Sequence, residues 1–381
     1  MRNHRLAWFL LGCCLFVGRP GMSRWCQAGE APGQEVVGSY HHEVLPAGPC
    51  SIHVFQTEFS QPGWRITTTL GKDGNFGVAT LTDQVKGLPP AIGRPVAAIN
   101  GDFFDTSEDY GGGPRDLQIF QGQLVRSPAG HACFWLDTFG KPHLTNLVSQ
   151  CRILLANGQS IPFELNVARP ADGCVLYTPV LGATTRTSGG TELILAGGSD
   201  DACQPLRAAS HLTAKVREVK TGGNSPLRPG TMVLSLGPKL MARLPAIGAG
   251  AQLEIFTDTV PSLAGVETAI GGGPTLVRDG QAMHWSGINV RTPRAAIGWN
   301  QKQFFLVEVD GRQKSSAGMS FPEFANYLVK LGCENALNLD GGGSSTLWVQ
   351  GKVVNSPSEG RERSSANAVV IVQQPRGTPE K

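Results

Sequence analysis

The sequence predicts an α+β protein: mixed β-sheets with few helices, plus an inserted β-rich subdomain. Three observations carry this. Short runs of β-branched and aromatic residues recur with alternating spacing, punctuated by Gly, Pro and Asn. Only one long stretch, residues 320–332, has helical periodicity. Glycine, at 49 of 381 residues, is about twice its usual share, while charged residues are only 17%. A chain of this length buries a substantial core, and its low charge excludes a disordered polymer.

The N-terminus comes first. Arg2, His4 and Arg5 precede an apolar run, Leu6 to Gly18, which is short for a membrane span. Residues 1–28 read as a secretory signal peptide, with cleavage after Ala28. Leu10-Leu11-Gly12-Cys13 also fits a lipoprotein signal acylated at Cys13. Contact with a membrane is therefore expected only through the signal or a lipid anchor. The expected location is secreted, periplasmic or cell-envelope. Cleavage leaves Cys50, Cys133, Cys151, Cys174, Cys203 and Cys333, an even set that reads as disulfides or as buried thiols. A net charge of +3 without a Lys/Arg run argues against a nucleic-acid partner.

Residues 29–49 read as a leader. From Cys50 strands follow at Ile52–Phe55, Trp64–Leu70 and Pro95–Ile99. The last runs into Asn100-Gly101-Asp102-Phe103-Phe104, a strand that ends in a carboxylate beside two aromatic rings. Gly111-Gly112-Gly113-Pro114 opens a segment through Gln121-Gly122-Gln123. A similar phrase returns at Gly271-Gly272-Gly273-Pro274 and Asp279-Gly280-Gln281, so the two read as equivalent hairpins with their glycine loops side by side. Between about 150 and 262, short strands with few candidate catalytic charges read as the inserted subdomain. Arg291, Arg294 and Arg312 form a basic cluster in a nearly neutral chain, suited to a phosphate or carboxylate, or to structural ion pairs.

Ser320-Phe321-Pro322-Glu323 is a capping box with proline in the first turn, and Gly332 ends the helix. The strand after it runs into Asn338-Leu339-Asp340-Gly341-Gly342-Gly343-Ser344-Ser345-Thr346. Three glycines cost backbone entropy and are justified where φ is positive or backbone must approach closely. Their amides can hold an oxyanion while the carboxylate acts as acid, base or nucleophile. A tight glycine turn capped by Asp is the plainer reading. A parallel crossover would bring Asp310 and Asp340 to neighbouring strand ends. No ligand spacing supports a metal site, and no cofactor is expected.

In order along the chain, Asn100-Gly101-Asp102-Phe103-Phe104, Gly271-Gly272-Gly273-Pro274, Arg291-Thr292-Pro293-Arg294, Val309-Asp310-Gly311-Arg312, Ser316-Ala317-Gly318-Met319, Ala336 through Thr346, and Asn355-Ser356-Pro357-Ser358-Glu359 with Arg363 resemble the phosphodiester glycosidase family over residues 50–373. The resemblance implies an exported hydrolase that cleaves the bond between a sugar C1 and a phosphodiester, including N-acetylglucosamine-1-phosphodiesters, with a carbohydrate or sugar phosphate as its partner. It implies Asp340 as the main catalytic carboxylate, with Asp310 or Asp102 beside it. Asn100, Gly272, Gly273, Arg294, Arg312, Gly342, Gly343, Ser344, Ser345, Glu359 and Arg363 would bind substrate. The competing expectations are a non-catalytic glycan-binding module and a hydrolase of plain glycosides. Residues 374–381 read as a polar tail.

Overall fold

Two antiparallel sheets face each other across a shared apolar layer, and helices cover their outer faces. The computed structural model describes residues 24–26, 37–45, 48–197, 205–285 and 290–374. The expected signal peptide up to residue 23, Cys203 and residues 375–381 of the polar tail lie outside the described residues.

The larger sheet runs Arg24–Cys26, Ser39–Leu45, Cys50–Glu58, Gln303–Val309, Arg294–Trp299, Asn335–Asn338, Thr275–Arg278, Gln281–Ala282. Its partner runs Lys352–Val353, Leu347–Val349, Arg94–Asn100, Ala368–Gln373, Trp64–Thr68. Phe55, Ile297, Phe304, Leu306 and Leu337 from the first sheet pack against Val96, Ile99, Leu347, Val369 and Ile371 from the second. Apart from Val96, which lies at a register shift, these are alternate residues on their strands, so the other set faces outward. On the larger sheet that outer set is Ile52, Val54, Phe305, Val307 and Val309, which the helix Phe321–Leu331 covers with Phe324, Ala325 and Leu328. This helix begins and ends where the sequence places it. Ser320 and Glu323 form the reciprocal capping box, and Gly332 closes the helix at φ 98°. A short helix, Leu81–Lys86, covers the second sheet with Leu81 and Val85.

A third sheet, of eight strands, draws only on residues 148–260, and a fourth, of five, holds Gln118–Phe120, Gln123–Arg126, Ala132–Leu136, Pro142–Asn146 and Thr268–Gly271. The chain is thus mostly β, which corrects the weight the α+β label gives to helices. Three further expectations change. Ser39–Leu45, read as leader, is a strand paired along Cys50–Glu58. Cys50, Cys133, Cys151, Cys174 and Cys333 are buried free thiols, so the disulfide reading fails for them. The two glycine phrases do form like-shaped hairpins: Gln121 and Gly122 have φ of 51° and 75°, and Asp279 and Gly280 have 51° and 75°. They belong to different sheets, however, and their glycine loops do not pair. Gly271 instead packs on Leu117 and Asp116.

No helix among the described residues is long and apolar enough to cross a membrane.

Candidate active site

Two strand ends meet at the centre of the site. Arg94–Asn100 is a buried central strand that stops at Asn100, and Asn335–Asn338 stops just short of the glycine-rich turn. The Asp340 amide donates to the Gly101 carbonyl at 2.9 Å. Asn100 completes the junction: its Nδ2 donates to the Asp340 carbonyl at 2.7 Å, and its Oδ1 accepts from the Thr346 amide at 3.0 Å. Two short Asn-x-Asp phrases, far apart in sequence, are thereby tied back to back.

Residues Gly342–Ser344 form one turn of 3-10 helix. Gly342 has φ 62°, and a Cβ there would lie 3.1 Å from Arg312 Nη2. Glycine therefore meets both a backbone and a packing requirement at this point. A Cβ on Gly343 would strike Glu359 Oε1 at 2.1 Å. Arg363 crosses this turn. Its Nη2 donates to Ser344 Oγ at 2.8 Å and lies 3.9 Å from Asp340 Oδ2, and its Nη1 is 3.5 Å from Glu359 Oε1. Burial raises the Asp340 carboxyl above the ordinary carboxylate value, while the Ser344 hydroxyl, Arg363, the Gly341 amide and Arg115 oppose the shift. Ser345 Oγ and Thr346 Oγ1 are buried without hydrogen-bond partners.

The opposite wall is built on Asp102 and Arg115. Asp102 is fully buried, and its Oδ2 accepts from the Asp116 amide at 2.8 Å. Its Oδ1 has no hydrogen-bond partner and lies 4.0 Å from Arg115 Nη2. Desolvation pushes the Asp102 carboxyl up to about 7, against the pull of the Asp116 amide and Arg115. Arg115 donates to the Gly272 carbonyl at 3.2 Å and lies over the Phe103 ring at 4.3 Å. Gly273 donates to the Asn338 carbonyl, and Asn338 Nδ2 returns a bond to the Gly273 carbonyl. The 271–273 loop is thus sewn to the strand that delivers Asp340.

Arg115 stands outside the basic cluster that the sequence suggests, although it directly follows Gly111-Gly112-Gly113-Pro114. Two expected residues sit elsewhere. Arg294 is buried, donating to the Met319 and Val290 carbonyls while stacked 4.0 Å from the Phe321 ring. Its guanidinium is committed to the start of the helix. Asp310 does not stand beside Asp340 either. The strands Gln303–Val309 and Asn335–Asn338 do run parallel, but Arg294–Trp299 lies between them, antiparallel to both. Two strand spacings, about 9–10 Å, separate them. Asp310 is buried behind the glycine turn, where its Oδ1 accepts from the Ser356 amide at 2.8 Å and its Oδ2 lies 3.2 Å from His53 Nε2. Arg312 is exposed at the rim without a hydrogen bond or ion pair among the described residues.

Carboxyls at two strand ends, amide-rich glycine turns and arginines on both walls define a site able to hold an anion and to move a proton beside it. The family comparisons point the same way. Residues 213–372 match the phosphodiester glycosidase family model. Among curated proteins, the SPbeta prophage-derived uncharacterized protein YomE of Bacillus subtilis is 35% identical over 113 residues, 28% of this chain and 18% of that protein. The N-acetylglucosamine-1-phosphodiester alpha-N-acetylglucosaminidase of Bos taurus is 32% identical over 137 residues, 32% of this chain and 26% of the bovine protein. The matches thus span about a quarter or less of these relatives' lengths. A crystal structure of a hypothetical protein from Synechocystis shares the fold, with a TM-score of 0.71 and 20% identity over 88% of this chain and 62% of the other.

Proposed function

We propose that this protein hydrolyses the bond between a sugar C1 and a phosphodiester oxygen, outside the cytoplasm. The observation that carries the proposal is the grouping of Asp340 and Ser344 at one glycine turn under the Arg363 guanidinium, with Arg115 on the facing wall. The match of residues 213–372 to the family model and the activity named for the bovine relative support the same reading. Export rests on the signal-like segment that ends near Ala28.

The division of labour follows from the leaving group. When the C1–O bond breaks, the bonding pair leaves on a phosphodiester oxygen, which is already a weak base and needs little general-acid help. Stabilising its negative charge matters more. Arg363, Arg115 and the rim residue Arg312 supply cationic donors, and the Gly342 and Gly343 region supplies close backbone approach. Asp340 acts on the sugar side. Its carboxylate either takes the proton of the attacking water or itself bonds to C1 before water releases the sugar. Asp102, closed to solvent, is the second carboxyl in a positioning role. It braces Arg115 and the backbone at Asp116. Asp310 is kept out of the reacting group, because its oxygens face His53 and Ser356.

The test is release of reducing sugar by the purified chain from a panel of sugar-1-phosphodiesters, including UDP-N-acetylglucosamine, with Asp340→Asn alongside. Turnover abolished in a folded Asp340→Asn protein supports the assignment. Equal turnover in both proteins refutes it. Glycan binding without turnover would point to a binding module.

A further inference from the structure

Behind the glycine turn lies a second buried polar cluster that the reaction above does not use. Strand register assembles it. Glu308 pairs directly with His53 across the sheet, and the Asp310 amide bonds to the Ser51 carbonyl one step further on. Residues 51, 53, 308 and 310 therefore share one face, the face turned toward the second sheet. One donor atom from each of His53, Glu308 and Asp310 lies within 4.8 Å of the others.

The cluster is out of charge balance. Glu308 is fully buried, Asp310 is 5% exposed, and no Lys or Arg among the described residues pairs with either. Both Glu308 carboxyl oxygens are buried without a hydrogen-bond partner. Asn355 adjoins Glu308, but its Nδ2 donates to Asp310 Oδ1 at 3.4 Å and to the Ser345 carbonyl at 3.2 Å. Held as carboxylates out of water without a compensating cation, the two would cost several kcal/mol each, and burial beside Asp310 accordingly pushes the Glu308 carboxyl well above its ordinary value. A single histidine proton offsets at most one of them.

The histidine is also oriented as a metal ligand would be. His53 Nδ1 is 2.7 Å from the Tyr40 hydroxyl, while Nε2 points at Asp310 Oδ2 at 3.2 Å. Ligating histidines usually donate their second ring N–H to a carboxylate, carbonyl or water oxygen, which fixes the tautomer and frees the other nitrogen; with Nδ1 protonated, the Tyr40 hydroxyl takes that place here. A 3.2 Å separation is close to the edge of a coordination shell with arms of about 2.1 Å. Ser51 Oγ, 3.2 Å from His53 Nε2, stands at the same opening.

We infer that His53, Glu308 and Asp310 bind one divalent cation of the zinc or manganese class, as one imidazole and two carboxylate donors indicate. The ion neutralises the cluster and, through Asn355, supports the Ser345 end of the catalytic turn. The inference stands independently of the proposed reaction.

The experiment measures metal content by mass spectrometry in the purified full chain, dialysed after loading with Zn²⁺ or Mn²⁺, and follows the melting temperature. About one equivalent per chain is expected, with the melting temperature falling by several degrees in EDTA and recovering when the ion returns. Glu308→Gln should lower retention at least tenfold. If that variant does not fold, Co²⁺ loading of the native chain gives a second readout, with visible absorption bands expected from bound cobalt. A native chain that retains neither ion and shows no melting shift overturns the inference. So does a Glu308→Gln protein that is equally or more stable while the native chain is metal-free, since Glu308 would then be a protonated acid.

Discussion

Arg363 Nη2 stands 3.9 Å from Asp340 Oδ2 and 2.8 Å from Ser344 Oγ, so one guanidinium holds both the carboxylate and the hydroxyl of the same glycine turn. Removing any of the three should affect turnover, but to different degrees. Asp340→Asn should lower kcat about a thousandfold or more while leaving the melting temperature within a few degrees of the native value. Ser344→Ala removes one hydrogen bond to charged groups and should cost about 10- to 100-fold. Steady-state kinetics with a thermal melt on each variant checks both.

The two glycines nearest the carboxyls should separate function from stability. An alanine Cβ at Gly343 would meet Glu359 Oε1, the tip of a half-exposed side chain that can swing away. Gly343→Ala should therefore fold normally and raise KM by displacing Glu359 and Arg363. At Gly271 the Cβ would meet Asp102 Oδ2 and Asp116 Cβ, each at 2.6 Å and both in buried residues. Gly271→Ala should cost about 1–3 kcal/mol of stability. Denaturant unfolding of the pair distinguishes them, and equal stability losses would be the wrong result.

Arg312 is expected to bind substrate without stabilising the fold. Its exposed guanidinium has no hydrogen bond or ion pair among the described residues. Arg312→Ala should leave stability within about 0.5 kcal/mol and raise KM roughly tenfold with kcat little changed. Arg294→Ala should do the reverse. It strips donors from the Met319 carbonyl before the helix and from the Val290 carbonyl, and should lower the melting temperature.

Asp102 should give the protein an unusual stability profile. Its carboxyl is raised from 3.8 to about 7, so the folded state holds a proton the unfolded chain has released. The contribution is present below about pH 4 and is lost as the pH rises to about 7, costing about 4 kcal/mol at most. Asp102→Asn should flatten that decline between about pH 4 and 7 in denaturant melts. A decline of unchanged steepness would place the proton elsewhere. Separately, the acid limb of kcat/KM should lie above the ordinary carboxylate range, since burial raises Asp340.

Much of this protein is legible in the chain because the signals are local. A capping box and terminal glycine mark the helix Phe321–Leu331 through a few neighbouring residues. The glycine turn after Asp340 declares itself through the backbone cost of three consecutive glycines, and the ordered motifs carry the resemblance that the match over residues 213–372 supports. Strand pairing is not local. Whether Gln303–Val309 and Asn335–Asn338 touch depends on Arg294–Trp299 inserting between them, a choice set by the packing of the whole sheet. That choice sends Asp310 behind the turn and leaves Arg115, from a distant segment, to face Asp340. Likewise, Glu308 stands as a lone charge in the apolar run Phe304–Val309, plain in the sequence. Its partner His53 is far away along the chain, and only the register of two antiparallel strands puts them side by side.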